Sequence, residues 1–233
     1  MQLFYCPDIS GKNRELPTEE AQHCLRVLRK EIGDTIQLTD GKGFFYEALI
    51  TGTTGKHCSV EILSSTAIEK PWKGHLHLAL APTKNMDRME WLVEKATEIG
   101  VDEISFLHTR YSERKVIKTE RIEKIVLSAM KQSLKAVLPV VHEMVDFHRF
   151  LQTHTATQRF IAHCQDLPKK NLVQIPTADS SILLIGPEGD FSTEEIERAL
   201  SLGYEGVSLS DSRLRTETAA LVGLHTLHLK GLL

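Results

Sequence analysis

The chain of 233 residues has no long apolar run, no paired-cysteine motif and no excess of positive charge. Its longest clean apolar run, Ile182-Leu183-Leu184-Ile185, is the length of a core strand and far short of the ~20 residues that span a bilayer. Met1-Gln2-Leu3-Phe4-Tyr5-Cys6-Pro7-Asp8 lacks the basic-then-apolar order of a secretory signal, and no Asn-x-Ser/Thr occurs. The cytoplasm is therefore the expected compartment, and no membrane contact is expected. Cys6, Cys24, Cys58 and Cys164 stand singly, without a CxxC or a His at ligand spacing. This excludes a disulfide framework and predicts reduced, partly buried thiols. His142-Glu143 opens like a zinc helix, but Asp146 stands where that motif needs its second His. No metal is expected, and the His142 region reads as structural. The formal net charge of −3 argues against a general grip on bare nucleic acid. Arg26, Arg29 and Lys30, and again Arg110, Arg114, Lys115 and Lys118, form local basic groups that read individually as solvated faces.

What remains is ordinary globular composition, 41% hydrophobic and 25% charged, with length for one or two domains and a sizeable core. In residues 1–70, Thr18 to Arg29 places Ala21, Cys24, Leu25 and Leu28 on one face of a helix, with Glu19 and Glu20 in its first turn. Strand-like pieces follow at Thr35 to Thr39, Phe44 to Thr51 and His57 to Leu63, joined by turns at Asp40-Gly41-Lys42-Gly43 and Thr54-Gly55-Lys56. Such a series suggests a small antiparallel barrel. After a linker at Glu69 to Gly74, residues 74–233 alternate strands and helices. Strands are predicted around Leu76 to Leu80, Glu103 to Leu107, Gln158 to Cys164, Ser181 to Ile185 and Gly206 to Leu209. Helices are predicted on the stripes Met89-Leu92-Val93-Ala96, ending at Gly100, and Ile122-Ile125-Val126-Ala129, then at Ser192 to Leu202 and from Thr216 to the C-terminus. This pattern predicts an α/β domain with a mostly parallel sheet covered on both faces.

Two segments stand out as chemistry-bearing. Ile185-Gly186-Pro187-Glu188-Gly189 is a rigid turn at a strand's carboxyl end, where open α/β sheets bind ligands. Its glycines permit φ > 0 or close backbone approach, and Pro187 fixes the chain between them. A carboxylate at 188 is not needed to make the turn. Ser192-Thr193-Glu194-Glu195 predicts a capping box for the next helix. The run Leu214-Arg215-Thr216-Glu217-Thr218-Ala219 follows another strand and opens a helix, with Thr216 as a candidate cap and free N–H groups to offer a ligand. Taken separately, each segment also reads as a plain structural joint. Neither GxxxxGK[ST] nor GxGxxG occurs, against a nucleotide- or phosphate-binding α/β enzyme.

In combination and order, these segments resemble the RsmE-type family of 16S ribosomal RNA uridine-N3 methyltransferases, within the knotted, S-adenosyl-L-methionine-dependent SPOUT superfamily. The resemblance extends through His23-Cys24-Leu25-Arg26-Val27-Leu28-Arg29 with Asp40-Gly41, through Lys84 and Arg88 to Val101, and through Gln132-Ser133 before Pro139. It implies a PUA-like RNA-binding β-barrel over 1–70 and a SPOUT domain over 74–233 with a C-terminal trefoil knot. It also implies a homodimer acting on 16S rRNA in the small ribosomal subunit. Carried onto this chain, it places Ile185, Gly186, Pro187, Glu188, Gly189, Leu209, Ser210, Leu214, Thr216 and Ala219 around S-adenosyl-L-methionine, with His163 where the first knot loop approaches. Arg26, Arg29, Lys84, Arg88 and Gln132 become RNA contacts. Glu217 is the first choice for the base that removes the N3 proton, with Glu188 the alternative, and Arg215 the group that stabilises charge on the uracil oxygens. The chain departs from the family pattern at Ser210 (glycine), Ser212 (arginine), Arg213 (apolar) and Asp190 (glycine). A related methyltransferase with another RNA target, and a non-catalytic RNA-binding module with a damaged pocket, are the rival readings.

Overall fold

The computed structural model describes residues 2–176 and 178–230. Contacts divide the chain into two units, Met1–Lys70 with Leu127–Leu138, and Pro71–Val126 with Pro139–Leu233.

In the first unit, β1 (Leu3–Tyr5), β2 (Asn13–Glu15), β3 (Thr35–Thr39), β4 (Phe44–Thr54) and β5 (His57–Ala67) form one sheet in the order β1-β3-β4-β5-β2. Only β1 runs parallel to its neighbour. The β4–β5 hairpin is longer than sequence alternation suggests, because its ladder continues through polar residues to Phe44↔Ala67, past register shifts at Glu47/Ala48 and Ile50/Gly52. The helix expected over Thr18 to Arg29 is in fact α1 (Thr18–Gln22) continuing into a π-helical turn, His23–Val27. Leu28 N–H reaches back to the His23 carbonyl, Lys30 N–H to that of Cys24, and Arg29 ends the segment with φ of 53°. The predicted stripe still faces inward, Ala21 and Cys24 packing with Phe4, Leu38, Ile50 and Val60. Burial, with Cys58 beside it, pushes the Cys24 thiol up to about 12, so it stays protonated. Leu127–Leu138 joins this unit through the Lys131–Glu20 ion pair and through backbone bonds from Gly43 N–H to the Ala136 carbonyl and Leu138 N–H to the Gly41 carbonyl.

The second unit contains β6 (His75–Leu80), α2 (Met86–Ile99), β7 (Glu103–His108), most of α3 (Thr119–Gln132), β8 (Val140–Val141), β9 (Val145–Asp146), α4 (Phe147–Thr153), β10 (Gln158–Ala162), β11 (Lys170–Asn171), β12 (Ser180–Ile185), α5 (Thr193–Ser201), β13 (Glu205–Ser208) and α6 (Thr216–Lys230). Residues 231–233 of the helix expected to reach the C-terminus lie outside the described residues. The sheet order is β11-β13-β10-β12-β6-β7-β8, with β9 also on β7, and every pairing is parallel. The α/β expectation and its parallel sheet are thus met. β12 shows why its run is apolar throughout. Ile182 and Leu184 pack with Phe147, Phe150, Phe191 and Ile196 under α4 and α5, while Leu183 faces Gly223 of α6 on the other side. Elements of two or three residues, and α4 with its Asp146 cap, have no period long enough to be read from sequence.

Because all strands are parallel, their carboxyl ends share one edge of the sheet, and the loops after β10, β12 and β13 meet there. At the amino edge, burial pushes the His77 imidazole down to about 3, against the pull of Glu103. α2 stops where the sequence predicts, at Gly100, whose φ is 125°. A Cβ there would stand 2.6 Å from the Trp72 ring. Gly100→Ala therefore combines left-handed strain with overpacking and is expected to destabilise the fold by about 2 kcal/mol or more, measured by denaturant unfolding.

Candidate active site

β12 delivers Gly186-Pro187-Glu188-Gly189 to the carboxyl edge, and Asp190 N–H closes the turn on the Pro187 carbonyl at 3.0 Å. Neither glycine of this turn has positive φ, so the conformational reason offered from sequence is corrected. Space is the reason instead. A Cβ on Gly186 would meet Phe191 N at 3.0 Å, and one on Gly189 would meet Tyr111 Cβ at 3.2 Å. The left-handed residue is Asp190, with φ of 66°. An aspartate tolerates that conformation when its side chain finds local donors. Here it accepts from Cys164 N–H at 2.7 Å and Phe191 N–H at 2.8 Å. The departure from glycine at 190 thereby gains a tie between two loops. Ser192 and Glu195 form the expected reciprocal capping box on α5.

The second segment approaches from α6. Thr216 does not cap the helix, as the sequence suggested; its buried hydroxyl donates to the Gly186 carbonyl at 3.1 Å, thirty residues away. Helix α6 begins at Thr216 itself, with Ala219 N–H bonded to the Arg215 carbonyl. Between β13 and α6, Ser210 Oγ accepts from Ser212 N–H at 3.1 Å. Among the described non-glycine residues only Arg29, Leu134 and Asp190 have positive φ, so position 210 does not require glycine.

Together these loops enclose a cavity of about 980 Å³. His163, Ile185, Gly186, Pro187, Glu188, Gly189, Leu209, Ser210, Leu214, Thr216 and Ala219 all line it, as do Arg215 and Glu217. Of the residues expected on RNA, Arg88 alone lines the cavity. Lys84 sits in the loop before α2, its backbone N–H donating to Glu188 Oε1 at 3.0 Å and its ammonium paired with Glu113. Arg26, Arg29 and Gln132 are exposed and belong to the first unit. The sequence reading missed Cys164, Gln165 and Lys169, which line the cavity from the loop after β10. Their one available signal was position just beyond a strand's carboxyl end.

Electrostatics distinguish the polar lining groups. Glu217 is buried, and Arg88 Nη1 lies 3.5 Å from its Oε1. Arg215 is exposed, with no ion pair to it among the described residues. Glu188 is already engaged by the Lys84 backbone. His163 is 6% exposed, and neither ring nitrogen makes a hydrogen bond of ordinary geometry. Burial and the nearby Lys169 charge lower its pKa, opposed by Asp190 and the Gln165 backbone, so the ring is neutral at neutral pH. A Cβ on Gly206 would come within 2.9 Å of His163 Nε2 and 2.7 Å of the Pro168 carbonyl, so glycine there lets this loop close on β13. A cavity walled by bare backbone at Gly186 to Gly189, with an unpartnered buried imidazole in its lining, fits an organic ligand carrying polar edges. Thr216→Val would leave the buried Gly186 carbonyl without its partner, at an expected cost of about 1–3 kcal/mol in unfolding free energy.

The family profile described as "RNA methyltransferase domain" matches residues 70–228, and "RNA methyltransferase PUA domain" matches 16–63. A "Ribosomal RNA small subunit methyltransferase E" from Rickettsia conorii is 26% identical over 93% of this chain and 90% of its own. A crystal structure of a "probable rRNA-methyltransferase" from Porphyromonas gingivalis is 44% identical, covers 100% of this chain and 99% of its own, and superposes with a TM-score of 0.94. The "Ribosomal RNA small subunit methyltransferase E" of Neisseria gonorrhoeae, solved bound to S-adenosyl methionine, is 26% identical with a TM-score of 0.89, over 98% of this chain and 97% of its own. By the length of the domain match and the identity to the Porphyromonas structure, the chain belongs to the RNA methyltransferase family.

Proposed function

We propose that this protein uses S-adenosyl-L-methionine to methylate N3 of a uridine in 16S rRNA of the small ribosomal subunit. The observation that carries the reading is the Thr216–Gly186 hydrogen bond, which brings both family segments around one cavity and sets the buried Glu217 in its wall. When bound, the cofactor supplies an electrophilic methyl group. The backbone of Gly186 to Gly189, the Leu209 to Leu214 loop and Ala219 would hold it, with His163 in the wall beside it.

The N3–H proton must leave as the N–C bond forms. Glu217 accepts it, and Arg88 positions that carboxylate. Arg215, exposed at the rim, stabilises the negative charge that develops on the uracil oxygens. Glu188 serves as architecture, because its carboxylate is committed to the Lys84 backbone. N3 lies on the pairing edge, so the uridine enters unpaired or flipped. Residues 1–70, with exposed Arg26 and Arg29, bind RNA; 74–233 carry catalysis within a trefoil knot; and Gln132, Lys84 and Arg88 are further RNA contacts. The working form is a cytoplasmic homodimer, a reading supported by the resemblance of the sequence. No helix among the described residues is long and apolar enough to cross a membrane.

Labelled S-adenosyl-L-methionine with small subunits lacking the modification, followed by mapping of the methylated base, tests the assignment. A methyl group elsewhere than uridine N3 would establish a related enzyme with another target, and absence of cofactor binding by calorimetry would leave only an RNA-binding module. Glu217→Gln is expected to slow methyl transfer by about 10²- to 10⁴-fold while cofactor affinity stays within severalfold. A near wild-type rate would remove Glu217 from the chemistry, and full activity in Arg215→Ala would remove Arg215. The net charge of −3 suits a shaped, protein-bearing substrate, so assembled small subunits should be methylated faster than naked 16S rRNA.

A further inference from the structure

Three of the chain's eleven histidines, His75, His77 and His142, meet one carboxylate at the amino edge of the parallel sheet, and the ring of His154 packs against two of them. The backbone register produces this convergence. His75 and His77 lie on one face of β6, His77 pairs directly with Glu103 of β7, and Val141 of β8 pairs with Ile104, which brings His142 alongside. Glu103 Oε1 accepts from His75 Nε2 at 2.6 Å, Oε2 contacts His142 Nε2, and His77 Nδ1 stands 3.8 Å from Oε2. One ligand atom from each of His77, Glu103 and His142 lies within 4.8 Å of the others.

We propose that His77, Glu103 and His142 form a binding site for a single divalent transition-metal ion, zinc foremost, that joins β6, β7 and the segment after β8. Tetrahedral bonds of 2.0–2.2 Å place neighbouring ligand atoms roughly 3.3–3.6 Å apart, so small side-chain rotations bring these three atoms to ligand distance. His77 is oriented as a metal-bound imidazole usually is, its other ring nitrogen hydrogen-bonded at 2.8 Å to the buried Ser105 hydroxyl and its ring edge-on to Phe150. Two imidazoles with one carboxylate select a borderline-soft cation over magnesium or calcium. The site is at the opposite edge of the sheet from the cavity, since His75 pairs with the first residue of β12 and Leu80 with Ile185. It is therefore separate from methyl transfer. A zinc motif on one helix needs both histidines within a single segment, whereas these ligands come from three, which is why no metal is expected from sequence.

The test is titration of untagged, chelator-stripped protein with Co²⁺, read by visible absorption, then with Zn²⁺ in competition. The expected result is one equivalent of Co²⁺ with the intense bands of a four- or five-coordinate site, displaced by Zn²⁺ and unaffected by Mg²⁺, and a thermal midpoint that rises with Zn²⁺. His142→Ala should abolish both responses, as should Glu103→Gln, which preserves side-chain shape; His57→Ala, in the first unit, should retain them. Ser105→Ala should weaken Zn²⁺ binding by about 10- to 100-fold through loss of the group that orients His77. Absence of the stoichiometric absorption in wild type, or its survival in a correctly folded His142→Ala or Glu103→Gln protein, overturns the proposal and leaves the cluster as a hydrogen-bonded histidine–glutamate network.

Discussion

The hydroxyl of Thr216 donates to the carbonyl of Gly186 across thirty residues of chain, and the candidate site is arranged around that contact. Gly186 directly follows the central strand of an all-parallel sheet, and as a buried residue its carbonyl needs a hydrogen-bond partner. Meeting that requirement with a side chain from the first residue of α6 decides where the helix begins. It thereby decides where Arg215 and Glu217 stand relative to the Gly186 turn. Asp190 performs a parallel task for the loop after β10, using a left-handed backbone and two accepted N–H groups. Three loops separate in sequence are in this way fixed to one another at one sheet edge.

Close packing makes this arrangement possible. Gly223 lets α6 lie against Leu183, and Gly206 lets the loop carrying His163 and Pro168 lie against β13. In both places a methyl group would occupy space already filled by a neighbour. The energetic role of these two glycines is thus steric alone, whereas Gly100 adds a φ of 125° to a similar clash.

Much of this was legible in the residues, for physical reasons. Runs such as Ile182 to Ile185 are apolar at every position because both faces of β12 are covered, and the α2 and α5 stripes carry the helical period, with Ser192 and Glu195 marking a start. The cavity lining was legible because strand ends and the family segments coincide. Other features were hidden because they depend on contacts far apart in sequence. Nothing local distinguishes Glu188, held by the Lys84 backbone, from a free carboxylate, or Thr216 from a helix cap. The π-helical turn at His23–Val27 keeps the same inward face as an α-helix, so periodicity cannot separate the two. The histidine cluster depends on strand register, which spacing along one segment does not encode.

The lining of the cavity has an order in time as well as in space. Its loops come from residues 162–169, 185–190 and 207–219, and the sheet edge that supports the first needs β13, which is made after both β10 and β12. A ribosome-bound chain that has emerged only as far as Asp190 carries the Gly186 turn but neither Glu217 nor the hydroxyl that bonds its carbonyl. A complete lining consequently needs residues 207–219, the last of its loops to be synthesised. Products truncated before α6 would be blind to the cofactor however well their earlier strands had folded.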